Sequence, residues 1–207
     1  MTTVIESLSA ARIVPVLVID DAHRAAELGA ALAEGGIRAA EVTLRTPAGL
    51  EALAAMSQVD GLTVGAGTVL SARQVDECAD AGATFIVSPG WDDEVVARAQ
   101  QIGLGILPGV ATATEVQRAV RAGLTHLKLF PAGQLGGLAM IDSLCGPFPG
   151  LQYMPSGGVG PSNAAEYIAH RAVFALSGSW MASRATIEAG DFDGIRAASR
   201  EAMDLVR

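Results

Sequence analysis

Eight short apolar or β-branched runs, their starts spaced by 20 to 26 residues, alternate with Ala-rich stretches along all 207 residues. This spacing predicts an α/β protein, a compact (β/α)8 TIM barrel formed as a single domain over residues 1–207. Composition points the same way. Half of the residues are hydrophobic, yet only 4% are aromatic, and 24 glycines punctuate the chain, as suits strands buried on both faces and joined by minimal loops.

The elements follow in order. IVPVLVI at 13–19 is the first strand, and Ala22, Ala25, Ala26, Leu28 and Leu32 mark a helix over 22–34. Strands are expected at 39–44, 63–69, 85–89, 105–110, 126–131, 152–158 and 174–180, with helices fitted between them. Thr114 and Pro161-Ser162 are read as starts of helices over 113–122 and 161–169. A last helix over 191–206 carries Phe192, Ile195, Ala202, Met203 and Val206 at helical spacing. The competing architecture is an open doubly wound sheet. Its dinucleotide signature is incomplete: GAGTVL offers Gly65 and Gly67, but Leu70 stands where a third glycine belongs.

The net charge of −8 makes nucleic acid and anionic membrane poor partners. No apolar run approaches the roughly 18 residues that span a bilayer. The N-terminal segment lacks a basic region before its short apolar run, so a signal peptide is not expected. Cys78 and Cys145 lack disulfide or metal-ligand spacing and are read as reduced thiols of a cytoplasmic protein. His23, His126 and His170 are scattered, so no metal site is expected.

Thirteen of the fourteen basic residues are arginine, and the single lysine, Lys128, lies inside the apolar run Leu127-Lys128-Leu129-Phe130. Strand alternation points His126, Lys128 and Phe130 to the interior and leaves Leu127 and Leu129 for the helices. A lysine that merely neutralises Glu41 would need no special chemistry, but arginine does that job better. Lysine offers something arginine does not: an amine that, once desolvated and neutral, condenses with a ketone to a Schiff base. Glu41, Thr43 and Arg45 alternate onto one face, so Glu41 is the candidate proton relay and Arg45 a carboxylate or phosphate clamp. Thr68, Ser88, Ser156 and Ser179 fall at other strand ends, where barrel active sites lie. Glycines in PSGGVGPSN (155–163) and SGSW (177–180) would let backbone N–H groups approach a phosphate.

Taken together, VPVLVI, AAEVTLRT, VGAGTVL, FIVSPG, ILPGVATATE, LKLFPA, GPFPGLQYMPSGGVGPSN and LSGSW resemble the family of 2-keto-3-deoxy-6-phosphogluconate (KDPG) and 4-hydroxy-2-oxoglutarate (KHG) aldolases. The resemblance implies a Schiff base on Lys128 and acid/base work by Glu41. It places the pyruvate-derived carboxylate on Arg45 and Thr68, and pocket walls at Pro89 and Phe130. The phosphate falls to Gly157, Gly158 and Ser179, with Ser156 beside the substrate hydroxyls; the absence of an evident side-chain cation for it adds the Gly178 backbone as a further donor. It also implies a cytoplasmic homotrimer without cofactor or metal, cleaving KDPG to pyruvate and glyceraldehyde 3-phosphate. Two positions depart from relatives, which often carry threonine at Ser156 and a double glycine at Ser177-Gly178, and both bear on substrate choice. Cleavage of 4-hydroxy-2-oxoglutarate or of the galactonate epimer is the near alternative. A phosphosugar epimerase, synthase or decarboxylase without covalent lysine, or a non-catalytic sugar-phosphate-binding barrel, are the distant ones.

Overall fold

The structure is a computed structural model that describes residues 3–207. Its strands are β1 (Ile13–Leu17), β2 (Ala39–Thr43), β3 (Thr63–Gly67), β4 (Phe85–Val87), β5 (Gly105–Leu107), β6 (Gly109–Val110), β7 (His126–Leu129), β8 (Gln152–Pro155) and β9 (Leu176–Gly178). All pairings are parallel, in a six-stranded sheet ordered β5-β4-β3-β2-β1-β9 and a three-stranded sheet β6-β7-β8. Isolated bridges Tyr153↔Val173 and Ser156↔Ser177 run from the second sheet to the segment that carries β9. The strands curl about an interior and carry helices outside.

The fifth expected strand, 105–110, is divided at Pro108, which has no N–H to give to a ladder. Before it the chain pairs with β4, and after it with β7. Gly109 lies against the preceding turn, where a Cβ would stand 2.1 Å from the Pro89 carbonyl oxygen. The other strands are shorter than expected, mostly at their C-terminal ends. There the polar residues leave the ladder: Thr68 takes φ 58° and Gly157 and Gly158 take φ 84° and 81°.

Helix starts follow side-chain caps more closely than periodicity. The expected 22–34 helix begins as a 3-10 turn at Ala22–Arg24 before α2 (Ala25–Glu34). The 113–122 helix is Ala113–Arg121, and its N-cap is Thr112, in a capping box with Glu115, rather than Thr114. The 161–169 helix is cut to Ala164–Ala169, and the last helix runs Phe192–Asp204. Cys78 and Cys145 are free thiols, and burial pushes Cys78 up to about 12. No described helix is long and apolar enough to cross a membrane.

Alternation sorts the core into two layers. Leu127, Leu129, Ile13, Leu17 and Tyr153 pack outward with helix residues such as Leu28, Leu53 and Val75. Val14, Ala39, Phe85, Val87, Leu107 and Met154 fill the interior. An element the sequence reading had not assigned closes the lower end. Helix α1 (Val4–Ala11), capped reciprocally by Thr3 and Glu6, delivers Leu8 and Ala11 into the interior cluster. Leu8 is fully buried there, so Leu8→Ala should cost about 2–5 kcal/mol in a urea titration. A change below about 1 kcal/mol would mean that α1 merely rests against the lower ends of the strands.

Candidate active site

At the C-terminal ends of the strands lies a cavity of about 320 Å³, lined by Val16, Glu41, Arg45, Thr68, Pro89, Lys128, Phe130, Ser156, Gly157, Gly158, Val159, Gly178 and Ser179. The eleven residues singled out from the sequence therefore share one cavity, although they come from six separate segments. Ser88, also at a strand end, does not line it: its hydroxyl donates to the Gly90 carbonyl at 2.8 Å and ties the turn. Val16 and Val159 were not anticipated. Val16 is signalled only by alternation along β1 from the inward-facing Val14.

Lys128 and Glu41 form the floor. The Lys128 ammonium nitrogen lies 3.3 and 3.4 Å from the two Glu41 carboxylate oxygens, and the residues are 6% and 1% exposed. Both charges have been taken out of water, which costs several kcal/mol per ion unless geometry repays it. These contacts are longer than the roughly 2.7–2.9 Å of a tight charge-assisted bond. The pair is thus dry but loosely clasped, and its amine faces open cavity. The Phe130 ring supports the same nitrogen from 5.5 Å.

Two glycines make room for this floor. A Cβ on Gly67 would lie 2.2 Å from Glu41 Oε1 and 2.5 Å from its Cγ, so the glutamate crosses β3 only because Gly67 has no side chain. A Cβ on Gly65 would strike the Phe85 ring at 2.5 Å. The Gly65–Gly67 pair, which resembled part of a nucleotide fingerprint, is a packing device.

Around the rim, Arg45 donates from Nε to Thr43 Oγ1 at 3.3 Å, and the Thr43 hydroxyl donates to the Leu17 carbonyl at 2.8 Å. Arg45 makes no ion pair among the described residues, so its fork is open to an anion. Thr68 holds a positive φ, sparsely populated for a β-branched residue, at the cavity wall. The glycine loop is braced from behind by Asn163, which accepts from Gly160 N–H and donates to the Gly158 carbonyl, each at 2.9 Å. The expected helix start at Pro161 is not present; that helix begins at Ala164 and has six residues, so it contributes little field here. His126 packs below the site, edge-on to Phe174 at 4.9 Å, and burial pushes its pKa down. Among the described residues no three His, Cys, Asp or Glu side chains gather as a metal-holding group.

A buried amine–carboxylate pair opening on a cavity with one uncommitted arginine defines a site for covalent and acid/base chemistry on a small organic anion. The profile of the KDPG and KHG aldolase family matches residues 4–198, and the chain belongs to that family. The 2-dehydro-3-deoxy-phosphogluconate aldolase of Treponema pallidum is 42% identical over 207 residues, covering 100% of this chain and 99% of the relative. The KDPG aldolase of Legionella pneumophila, solved with pyruvate captured as a covalent carbinolamine intermediate, superposes with TM-score 0.91 at 33% identity, covering 96% of this chain and 97% of that one. The 2-keto-3-deoxy-6-phosphogluconate aldolase of Zymomonas mobilis ZM4, solved with 3-phosphoglycerate, gives TM-score 0.89 at 38% identity, covering 96% and 94%.

Gly67→Ala tests how the floor is built. The clash falls on a buried, paired carboxylate, so thermal stability should fall as Glu41 is displaced from Lys128. A misplacement of about 1 Å at a reacting group costs on the order of 10²-fold. Turnover should fall by about that factor, and unchanged turnover would show that Glu41 does not need its observed position.

Proposed function

We propose that the chain is a class I aldolase cleaving 2-dehydro-3-deoxy-6-phosphogluconate reversibly to pyruvate and glyceraldehyde 3-phosphate. The observation that carries this reading is the buried Lys128–Glu41 pair opening into the cavity. Glu41 takes a proton from the Lys128 ammonium, and the freed amine attacks the C2 carbonyl to give a carbinolamine. Glu41 then returns a proton to the departing hydroxyl, and water leaves as the iminium forms. The Glu41 carboxylate removes the C4 hydroxyl proton. The C3–C4 electron pair flows toward the iminium nitrogen, releasing the aldehyde and leaving the enamine of pyruvate. Protonation at C3 and hydrolysis regenerate Lys128.

Arg45 and Thr68 hold the C1 carboxylate, Pro89 and Phe130 wall the pocket, and Ser156 meets the substrate hydroxyls. Backbone at Gly157, Gly158 and Gly178, with the Ser179 hydroxyl, holds the phosphate. The scaffold acts as one closed (β/α)8 domain. Lys128 N–H donates to the Pro108 carbonyl at 3.0 Å, and the Ser156↔Ser177 bridge spans the remaining seam. The proposal extends to a cytoplasmic homotrimer, checked by sedimentation equilibrium. A second reading, cleavage of unphosphorylated 4-hydroxy-2-oxoglutarate, is favoured by one observation: among the described residues no cationic side chain other than Arg45 and Lys128 lines the cavity.

Incubation with pyruvate and borohydride should add one reduced adduct per chain, mapped by peptide mass to residue 128. Because Lys128 is the only lysine, absence of that adduct would sink the Schiff-base mechanism, as would full activity in Lys128→Arg. Glu41→Gln, which keeps shape but cannot accept the proton, should lower turnover by roughly 10²–10⁴-fold.

Ser179→Asp separates the two substrates. Gly158 is a poorer probe, because its φ of 81° and a Cβ position 3.1 Å from Gly133 strain any side chain. An added carboxylate at 179 should raise KM for the phosphorylated substrate at least tenfold and that for 4-hydroxy-2-oxoglutarate much less. Equal effects on both would remove the phosphate from this loop.

A further inference from the structure

The hydroxyl of Ser177 is fully buried and has no hydrogen-bond partner among the described residues. A buried hydroxyl left unpaired is costly, and a strand residue that needed only to fill space would be better served by alanine. Its direction is fixed by the ladders. Ser177 pairs with Val14 of β1, which belongs to the interior cluster, and with Ser156, which lines the cavity. The flanking residues face the other way: Leu176 packs in the outer layer, and a Cβ on Gly178 would strike the Trp180 ring at 2.2 Å. Ser177 therefore points inward.

Its height follows from the same registers. On one side, Val14 lies two residues before Val16, the partner of Glu41. On the other, Ser156 lies two residues after Met154, the partner of Lys128. In a tilted barrel the level residue advances by about one position per strand, and each interior layer takes four side chains from alternate strands. Followed around the strand pairings, the layer that contains Glu41 and Lys128 is completed by Val87 and Ser177. The catalytic pair thus shares its layer with one inert valine and one idle hydroxyl.

We propose that Ser177 is a positioning residue that donates its hydroxyl hydrogen to Glu41 once Lys128 is engaged with substrate. The inference rests on the Schiff-base reading of Lys128. In the resting protein the ammonium supplies hydrogen bonds to both carboxylate oxygens. When the nitrogen becomes the iminium of the substrate, Glu41 must turn toward the C4 hydroxyl with fewer donors around it. Ser177 then replaces a lost donor from within the layer and keeps the carboxylate ionised and aimed. The charged groups that face Glu41 are few: Lys128 across the floor and Arg45 at the rim, with His126 lower on β7. The other described residues of the lining and of the interior are not ionisable.

Ser177→Ala and Ser177→Gly test this through the pH dependence of pyruvate release. A hydrogen bond donated to a carboxylate favours its charged form, so losing it raises the pH at which the base is lost. The acid limb of kcat, which reports the complex, should move up by about one pH unit in both variants. The acid limb of kcat/KM, which reports the free enzyme, should stay in place, because the resting protein makes no such bond. The melting temperature should not fall, since alanine removes an unpaired polar group. Unshifted kcat limbs in both variants would overturn the proposal, as would equal shifts in kcat and kcat/KM. Borohydride trapping of pyruvate on the wild-type protein is read separately. Its failure removes the Schiff base, whereas normal trapping with unshifted limbs removes only Ser177.

Discussion

A lysine and a glutamate held together in the dry floor of the cavity impose most of what surrounds them. Neither charge tolerates this depth alone, and removing one partner of such a pair typically costs about 3–5 kcal/mol. Gly67 is small because the glutamate crosses it, and Phe130 stands beside the ammonium because an aromatic face supports a desolvated cation. The long nitrogen–oxygen distances mean that the pair contributes little net stability. What it supplies is an amine and a carboxylate already within hydrogen-bond reach of each other.

The molecule stabilises that expensive centre from two directions. Below it, the interior cluster is built from valine, leucine, methionine and phenylalanine, and α1 closes its lower end with Leu8. Around it, the outer layer packs helices against the backs of the strands, so Leu127 and Leu129 anchor β7 on either side of Lys128. The cavity opens at the C-terminal ends of the strands. The global charge of −8 opposes an anionic ligand, and a short list of local features counters it: Arg45, Lys128 and the glycine backbone.

The glycines show how one residue type serves separate physical ends. Gly65, Gly67 and Gly109 permit close approach, each with a neighbour at 2.5 Å or less from a hypothetical Cβ. Gly157 and Gly158 instead supply positive φ, turning the chain out of β8 and over the cavity. The first group shapes the floor and the second shapes the rim.

The sequence by itself determined most of the alternation of strands and helices, the inward face of β7, and the place of a lone lysine on that face. Each of these is local: spacing sets the element, alternation sets the face, and a lone lysine in an apolar run needs no coordinates to be noticed. Most of the eleven cavity residues were legible because they sit in or just beyond the C-terminal halves of strands, whereas Pro89 came only from the family resemblance. Helix α1 was legible in principle from Thr3 and Glu6, a capping box that its position before the first strand made easy to overlook. Only the tertiary structure decided the rest. That Gly67 clears a path for Glu41 depends on which strand lies beside β2. The break at Pro108 depends on the partner strand changing from β4 to β7. That Ser177 shares a layer with Lys128 and Glu41 depends on the cumulative tilt of the strands, a property of the ladder as a whole. No window of sequence contains it, because the residues concerned meet only after the sheet has curled and brought distant strands to one level.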